Sequence, residues 1–283
     1  LRREKIARGT EDMSVGSAMS REQAEAALDL GVRIAMDEIA QGVDIMACGE
    51  MGIGNTASAA LLAHRVAGLP LELCVGPGAG LDAAGVRRKH ELLARAADRA
   101  PAARETLAAL AEFGGYEIAM LAGALLACPP RGMLALVDGY IVAAAALIAS
   151  RLDPRVLDHC VFGHVSAEPG HRRVLEVLGA RPLLDLGLRL GEASGATLAF
   201  PLVLAAERML NEMATFEQAG VDDRVQTCTT HRRPRRLRAT HRRIRRLRPT
   251  PRRASANCGC SSPRCSSSPA SRCRPGSATR SGS

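Results

Sequence analysis

Residues 48–60 read Cys-Gly-Glu-Met-Gly-Ile-Gly-Asn-Thr-Ala-Ser-Ala-Ala. An apolar run at 43–48 leads into this stretch, and a helical pattern of small residues at 56–67 follows it. The order predicts a β-strand, a glycine turn and the N-terminus of a helix. Glycines at such a turn let backbone N–H groups approach an anion, which the partial positive charge of the helix N-terminus also favours. Many α/β proteins use the same turn only to pack a helix on a sheet, so the rest of the chain must decide its function.

Three more segments have the length and the flanking residues of strands. They lie at 69–75, 133–137 and 158–162, and helical patterns separate them. This alternation predicts an α/β fold with a parallel sheet and helices on both faces. Ligands bind such sheets beyond the carboxyl ends of the strands. The candidate residues there are Glu50, Gly78, Gly80, Asp138, Ser166 and Glu192.

The helical patterns have clear starts and stops. Ser20 with Gln23 forms a capping-box pattern, and the helix that it opens is predicted to end near Gly42. The remaining helices are predicted at about 85–100, 103–113, 117–127, 141–151, up to 178, and from 196 to about 216 with a break or bend near Pro201.

Several candidates also fit ordinary structural roles. Asp138 and Ser166 are residue types that commonly cap helices, and Lys89 fits a solvated helix lysine. His164 and His171 have no Ser or Cys partner at a nucleophile elbow, so we interpret them as loop histidines.

Composition divides the chain into two parts. Seventeen of its 38 Arg and Lys residues and two of its 29 acids lie in 222–283, so residues 1–221 carry a net charge of −6. We expect 1–221 to be globular and the Arg-, Ser- and Pro-rich tail, 222–283, to be disordered. The tail fits either a basic arm that binds nucleic acid or a frameshift product of G+C-rich DNA. Its abrupt change of character favours the frameshift, so a nucleic-acid partner is not expected.

The cysteines divide in the same way. Cys48, Cys74, Cys128 and Cys160 lie in apolar segments and are expected to be buried, reduced thiols, which favours a cytoplasmic location. In the tail, Cys258, Cys260 and Cys265 match no common zinc-site spacing, so no metal is expected. No apolar run is long enough to predict a membrane span.

Six motifs in order carry a family resemblance. Residues 49–56, 78–82 with Lys89, 138–139, 163–171 and 190–195, closed by Asn-Glu-Met-Ala-Thr-Phe at 211–216, are similar to the nicotinate-nucleotide–dimethylbenzimidazole phosphoribosyltransferases. The family moves phosphoribose from nicotinate mononucleotide to 5,6-dimethylbenzimidazole, and the product, α-ribazole 5′-phosphate, supplies the lower ligand of cobalamin. The resemblance implies a Rossmann-like large domain, a small helical domain built from both chain ends, a homodimer and no cofactor.

The resemblance also implies residue roles. Glu192 would be the general base that takes the benzimidazole N–H proton while the other ring nitrogen attacks the ribose C1′. Glu50 would be a second carboxylate that positions substrate or supports positive charge at the ribose. Gly52, Gly78 and Lys89, with the Ser166 hydroxyl, would bind the 5′-phosphate. The other implied substrate-binding residues are Met51, Gly54, Asn55, Gly80, Asp138, Leu190 and Gly191.

Other interpretations stay open at this point. The chain opens with Leu1, so we expect further residues upstream in the whole protein, and an inactive fragment of the enzyme is one alternative. A nucleotide-dependent oxidoreductase would need Gly-x-Gly-x-x-Gly after the first strand, a spacing that residues 49–54 do not have. A nucleic-acid-binding protein that acts through the basic tail is the third alternative.

Overall fold

The structure, a computed structural model, describes residues 1–220. The expectations about the tail lie outside the described residues: its disorder, its origin as a frameshift, a nucleic-acid-binding arm and the absence of zinc at its cysteines. The division of the chain at residue 221 and the small helical domain stay predictions.

Three short parallel strands form the sheet. They are β1 (Ile45–Cys48), β2 (Leu134–Val137) and β3 (Cys160–Phe162), in the order β1-β2-β3. Ile45 pairs with Leu134, and Ala135 pairs with Cys160. The predicted α/β class and parallel sheet are confirmed. The last strand is shorter than expected because a 3-10 helix, Pro154–His159, occupies the start of the predicted run.

The prediction of a strand at 69–75 is wrong, because this run forms a one-turn helix. Leu71 and Cys74 are buried, whereas Leu73 between them is exposed, so the buried side chains follow helical rather than alternating spacing. Pro70 precedes the turn, and its carbonyl accepts a hydrogen bond from the Cys74 thiol. An apolar run this short does not distinguish a strand from a helical turn.

Ten helices surround the sheet in the described part of the chain. Ser20 and Gln23 form the capping box that their spacing predicts, and Asp82 caps the helix that carries Lys89. The helices are α1 (Arg21–Ala40), α2 (Asn55–Ala67), α3 (Leu71–Cys74), α4 (Ala83–Arg99), α5 (Thr106–Phe113), α6 (Tyr116–Leu126), α7 (Cys128–Arg131), α8 (Tyr140–Leu152), α9 (Pro169–Leu178) and α10 (Ser194–Glu212).

Helix α8 is the centre of the core. Every residue from Tyr140 to Ser150 is buried, and the helix packs against α2, α6, α9 and β2. Such all-round burial suits its sequence, because alanines present little bulk and no polar groups to the surrounding elements. Three of the four cysteines in 1–220, Cys48, Cys74 and Cys128, are buried as predicted, and all four are free thiols.

Helix α10 runs through Pro201 without interruption, so the predicted break is absent. Only Gly195, Ala196 and Ala199 of this helix are buried. Among residues 1–220 no helix combines the length and the apolar character needed to cross a membrane.

Helices α1 and α6 pack at a contact that two glycines allow. A Cβ atom on Gly31 of α1 would collide with the Met120 carbonyl of α6, and one on Gly123 of α6 would collide with the Leu28 carbonyl of α1. Both obstacles are backbone atoms, which cannot rotate away as a side chain can. The spacing of these two helices therefore depends on both glycines.

We expect Gly31→Ala and Gly123→Ala to lower the free energy of unfolding by about 2 kcal/mol each, because overpacking against backbone outweighs the gain of about 1 kcal/mol in helix propensity. Urea denaturation followed by circular dichroism measures the change. Gly16→Ala is the control, since nothing lies within 4 Å of its Cβ position, and its effect should stay within about 0.5 kcal/mol. Unchanged stability in both helix variants would contradict the contact.

Candidate active site

A cleft of about 260 Å³ lies at the carboxyl ends of the strands. It is lined by the loop after β1, the glycine loop at 78–79, the start of α8, the loop after β3 and residues 189–192. Of the residues that the sequence predicts for the site, those lining the cleft are Glu50, Met51, Gly52, Gly54, Asn55, Gly78, Ser166, Leu190, Gly191 and Glu192.

Three predicted residues do not line the cleft. Gly80 is exposed in the turn before α4, where its N–H donates to the Pro77 carbonyl. Lys89 and Asp138 lie behind the lining and contact residues that belong to it.

The two glutamates are joined through their backbones. The Glu192 N–H donates to the Glu50 carbonyl at 3.1 Å, and Gly191 crosses beside the Glu50 carboxylate. The Asn55 amide donates to the Glu50 Oε2. Glu50 is partly buried, whereas Glu192 is exposed. The structure therefore places two carboxylates of different solvent exposure on one side of the cleft.

Burial raises the pKa of Glu50 above the ordinary value of a glutamate. The hydrogen bond from Asn55 opposes this rise by stabilising the ionised form, and the negative charges of Glu117 and Asp138 add to the rise. Positive charge that develops next to the Glu50 carboxylate therefore stabilises its ionised form.

The backbone that carries Glu192 is in an unusual conformation. Gly191, Glu192 and Ala193 all have positive φ, at 77°, 58° and 60°. For residues other than glycine the left-handed region costs roughly 1–2 kcal/mol each, so the surrounding structure must hold this backbone in place.

The ends of all three strands supply that constraint. After β1, Gly49 packs against the Ala193 backbone so closely that a Cβ on it would collide. At the end of β2, the Asp138 Oδ1 accepts a hydrogen bond from the Ala196 N–H at 3.0 Å. After β3, a Cβ on Gly163 would lie 3.0 Å from the Ala196 Cα atom. We call residues 193–196, held in this way, the anchored turn.

Two helices direct uncapped N-termini at the cleft. Gly54 is the N-cap residue of α2 and Gly139 that of α8, and neither helix has a side chain that caps its first N–H groups. Gly54 has φ 81°, a conformation that glycine adopts without strain. Unpaired N–H groups and the helix dipoles make both termini suitable for an anion.

Lys89 is not the solvated lysine that an isolated helix would present. Its Nζ donates to the Thr56 Oγ1 at 2.8 Å and to the Gly76 carbonyl at 3.1 Å. Burial lowers the pKa of Lys89, and the nearby Glu168 carboxylate opposes this effect. The ammonium therefore joins the first turn of α2 to the glycine loop and places positive charge behind the cleft.

Glu168 also contacts this loop. Its Oε1 accepts a hydrogen bond from the Gly78 N–H at 2.8 Å. A phosphate that uses the Gly78 N–H must therefore displace the Glu168 carboxylate. The sequence analysis did not identify Glu168 as a site residue, because its hydrogen-bond partner, Gly78, lies 90 positions away in the chain.

Both candidate histidines are buried. The His171 Nδ1 accepts a hydrogen bond from the Ser166 N–H at 2.8 Å. Burial lowers the pKa of His171 to about 3, so its ring is neutral. His164 lines the cleft, and its Nε2 lies 3.6 Å from the Asp138 Oδ1. The interpretation of His171 as a loop histidine is wrong, because this residue lies in the first turn of α9, and the sequence offers no local signal for the burial of either histidine.

The alternative roles of Asp138 and Ser166 as caps of the next helix are not observed. The N-cap residues of α8 and α9 are Gly139 and Glu168. Asp138 instead binds the first turn of α10, a helix that begins 56 residues later in the chain.

Exposed apolar side chains stand at the mouth of the cleft. Met51 and Leu190 are 81% and 71% exposed, one on each of the two loops that carry the glutamates. Among residues 1–220 no three His, Cys, Asp or Glu side chains lie close enough together to hold a metal ion.

The parallel sheet, the uncapped helix N-termini and the two neighbouring glutamates define an α/β protein with a cleft at its strand ends that suits an anion. A phosphoribosyltransferase family model matches residues 1–221. The chain belongs to this phosphoribosyltransferase family.

Named relatives agree with this family. The nicotinate-nucleotide–dimethylbenzimidazole phosphoribosyltransferase of Dechloromonas aromatica is 54% identical over 223 residues, which cover 78% of this chain and 64% of that protein. The enzyme of the same name from Cupriavidus necator is 52% identical, over 77% of this chain and 63% of that protein. A crystal structure of CobT from Thermus thermophilus matches with a TM-score of 0.75 and 46% identity, over 78% of this chain and 66% of that one.

The chain thus spans somewhat less than two thirds of the length of these relatives.

The raised pKa of Glu50 predicts a stability change that needs no substrate. Because the folded-state pKa exceeds the unfolded value, ionising Glu50 destabilises the fold, and this cost appears as the pH rises through the unfolded pKa of about 4.3. We expect Glu50→Gln to raise the melting temperature at pH 7, and the gain to vanish at acidic pH, where Glu50 is protonated in both states. Differential scanning calorimetry across pH measures this dependence.

The matched control is Glu72→Gln, at an exposed position of α3. Its melting temperature should follow that of the unmodified chain at every pH. A Glu50→Gln variant that is less stable than the unmodified chain at pH 7 would contradict the burial of an unfavourable charge.

Proposed function

We propose that this chain transfers phosphoribose from nicotinate mononucleotide to 5,6-dimethylbenzimidazole, giving α-ribazole 5′-phosphate and nicotinate for the lower ligand of cobalamin. The observation that carries the proposal is the pairing of Glu50 and Glu192 on one side of a cleft with two uncapped helix N-termini. The names of the relatives support the choice of substrates.

The reaction forms a bond between a benzimidazole nitrogen and the ribose C1′ and breaks the bond to the nicotinate nitrogen. The attacking azole must lose its other N–H proton, which needs a base within reach. Glu192 suits this role because it is exposed at the cleft and its backbone is fixed next to Glu50. Nicotinate leaves without an acid because its ring nitrogen is quaternary in the nucleotide.

Glu50 suits a different role in the same step. Positive charge develops at the ribose as the nicotinate bond breaks. A partly buried carboxylate, held by Asn55, stabilises that charge without having to reorganise. Because positive charge next to Glu50 offsets the cost of burying its carboxylate, Glu50 interacts more favourably with the transition state than with the uncharged surroundings of the substrate-free site.

The 5′-phosphate fits the N-terminus of α2. Gly54, Asn55 and Thr56 line the cleft there, and Lys89 contributes positive charge through its contact with Thr56. Ser166 also lines the cleft, and its hydroxyl lies 3.0 Å from the His171 Nδ1. The flat, largely apolar azole fits between Met51 and Leu190, whose exposed side chains flank the two glutamates.

We also propose that two copies associate through the far part of α10. Beyond Ala199 this helix exposes large apolar side chains, among them Leu202 at 47% and Met209 at 59% exposure. The same strip continues through Met213 and Phe216, each 67% exposed. A strip of this length is costly to leave in water, and a second copy supplies a matching apolar surface. The cytoplasmic location stays a prediction that rests on the reduced thiols.

The base assignment predicts a variant that binds but does not turn over. We expect Glu192→Gln to reduce the formation of α-ribazole phosphate at least about 100-fold, because the amide cannot accept the azole proton. Binding of nicotinate mononucleotide, measured by calorimetry, should change little. Product is measured chromatographically after incubation with both substrates.

Glu72→Gln, at an exposed position of α3, is the control and should retain full turnover. Undiminished turnover in Glu192→Gln would remove the base assignment. No product from the unmodified chain would remove the proposed activity.

The dimer predicts a change of mass. The unmodified chain should elute at twice its 29.8 kDa mass in size-exclusion chromatography with light scattering. Leu202→Glu with Met209→Glu should give the monomer, because each charge would be buried in the apolar contact. Leu73→Glu, 40% exposed on α3, is the control and should leave the dimer intact. A monomeric unmodified chain would refute this association.

A further inference from the structure

We propose that Asp138 is a positioning residue: its buried carboxylate holds the anchored turn and thereby fixes the backbone that carries Glu192. The part of this inference that concerns turnover rests on the proposed function. The anchoring itself does not, because it depends only on contacts within the chain.

The contact joins the end of β2 to the first turn of α10. Asp138 is 1% exposed, and its Oδ1 accepts a hydrogen bond from the Ala196 N–H at 3.0 Å. Helix α10 needs this acceptor, because its own N-cap residue is Ala193, which has no side-chain oxygen. A carboxylate from a distant strand therefore replaces the missing cap and complements the helix dipole.

The anchored turn begins immediately after Glu192. Glu192 and Ala193 are the only residues other than glycine with positive φ in the described part of the chain. If the first turn of α10 loosens, that strain is released, and the backbone that carries Glu192 can move away from Glu50. The hydrogen bond from Ala196 opposes that release, since it fixes the turn three residues beyond the strained pair.

Asp138 acts from behind the cleft rather than within it. His164 lines the cleft, and its ring contacts both the Asp138 carboxylate and Gly195, where a Cβ would collide with the ring. Asp138 does not line the cleft. This geometry favours a positioning role over the substrate contact that the family resemblance implies.

The test compares Asp138→Ala with Asp138→Asn in the full chain. Alanine removes the acceptor, whereas the asparagine carbonyl accepts the same hydrogen bond and caps helices as well as aspartate does. We expect Asp138→Ala to lower kcat about 10- to 100-fold through misplacement of Glu192, with the KM for nicotinate mononucleotide changed less than about threefold. Asp138→Asn should recover most of the lost kcat.

Amide hydrogen exchange supplies a readout that needs no turnover. Peptides that cover 191–200 should exchange faster in Asp138→Ala than in the unmodified chain, and Asp138→Asn should restore their protection. If the unmodified chain shows no transfer, only the proposed function fails, and exchange still decides the anchoring.

Two further variants complete the design. Asp138→Ser is one carbon shorter and should behave as the alanine variant does, so it carries the test if Asp138→Ala does not fold. Asp153→Ala removes a cap from the 3-10 helix, where Asp153 accepts from the Arg155 N–H, and should leave kcat unchanged.

Three results would overturn the inference. The first is unchanged exchange at 191–200 in Asp138→Ala. The second is an asparagine variant as impaired as the alanine variant, which would mean that the charge rather than the hydrogen bond matters. The third is a large rise in KM with an unchanged kcat, which would place Asp138 in contact with substrate.

Discussion

The structure depends on the close approach of the anchored turn to the ends of all three strands. Gly49 and Gly163 permit it because neither carries a Cβ, and Asp138 adds a directed hydrogen bond. This approach, together with the hydrogen bond from the Glu192 N–H to the Glu50 carbonyl, opposes relaxation of the strained backbone at Glu192. The glycines at the strand ends therefore act first as packing residues, and the shape of the cleft follows from the packing.

The same arrangement gives three helix N-termini different electrostatic partners. Those of α2 and α8 stay uncapped and line the cleft, whereas Asp138 occupies that of α10. The Asp138 carboxylate thus caps the N-terminus of α10, which must stay rigid, and the N-termini of α2 and α8 remain open to a bound anion. Lys89 strengthens the α2 terminus from behind, and Glu168 restrains the glycine loop beside it.

Local patterns predicted much of this molecule. The capping box at Ser20 and the strand–glycine–helix order around Glu50 depend on neighbours in sequence, and the confirmed parallel sheet follows from the alternation of elements. The strand prediction at 69–75 failed because a segment of seven mixed apolar and polar residues fits both a strand and a single helical turn. The hydrogen bonds that Asp138 accepts from Ala196 and Glu168 accepts from Gly78 join residues 58 and 90 positions apart, and no local pattern indicates such partners.

The two glutamates differ in solvent exposure, which suits them to different roles in the proposed reaction. A base must reach the proton of a mobile azole and then release it, so it benefits from the solvent that exposed Glu192 retains. A group that stabilises charge at the ribose benefits instead from burial and a fixed partner, which Glu50 has in Asn55. Burial also makes the ionised Glu50 unfavourable until positive charge develops beside it. The cleft thus places one carboxylate where it can exchange a proton and the other where its charge has most effect.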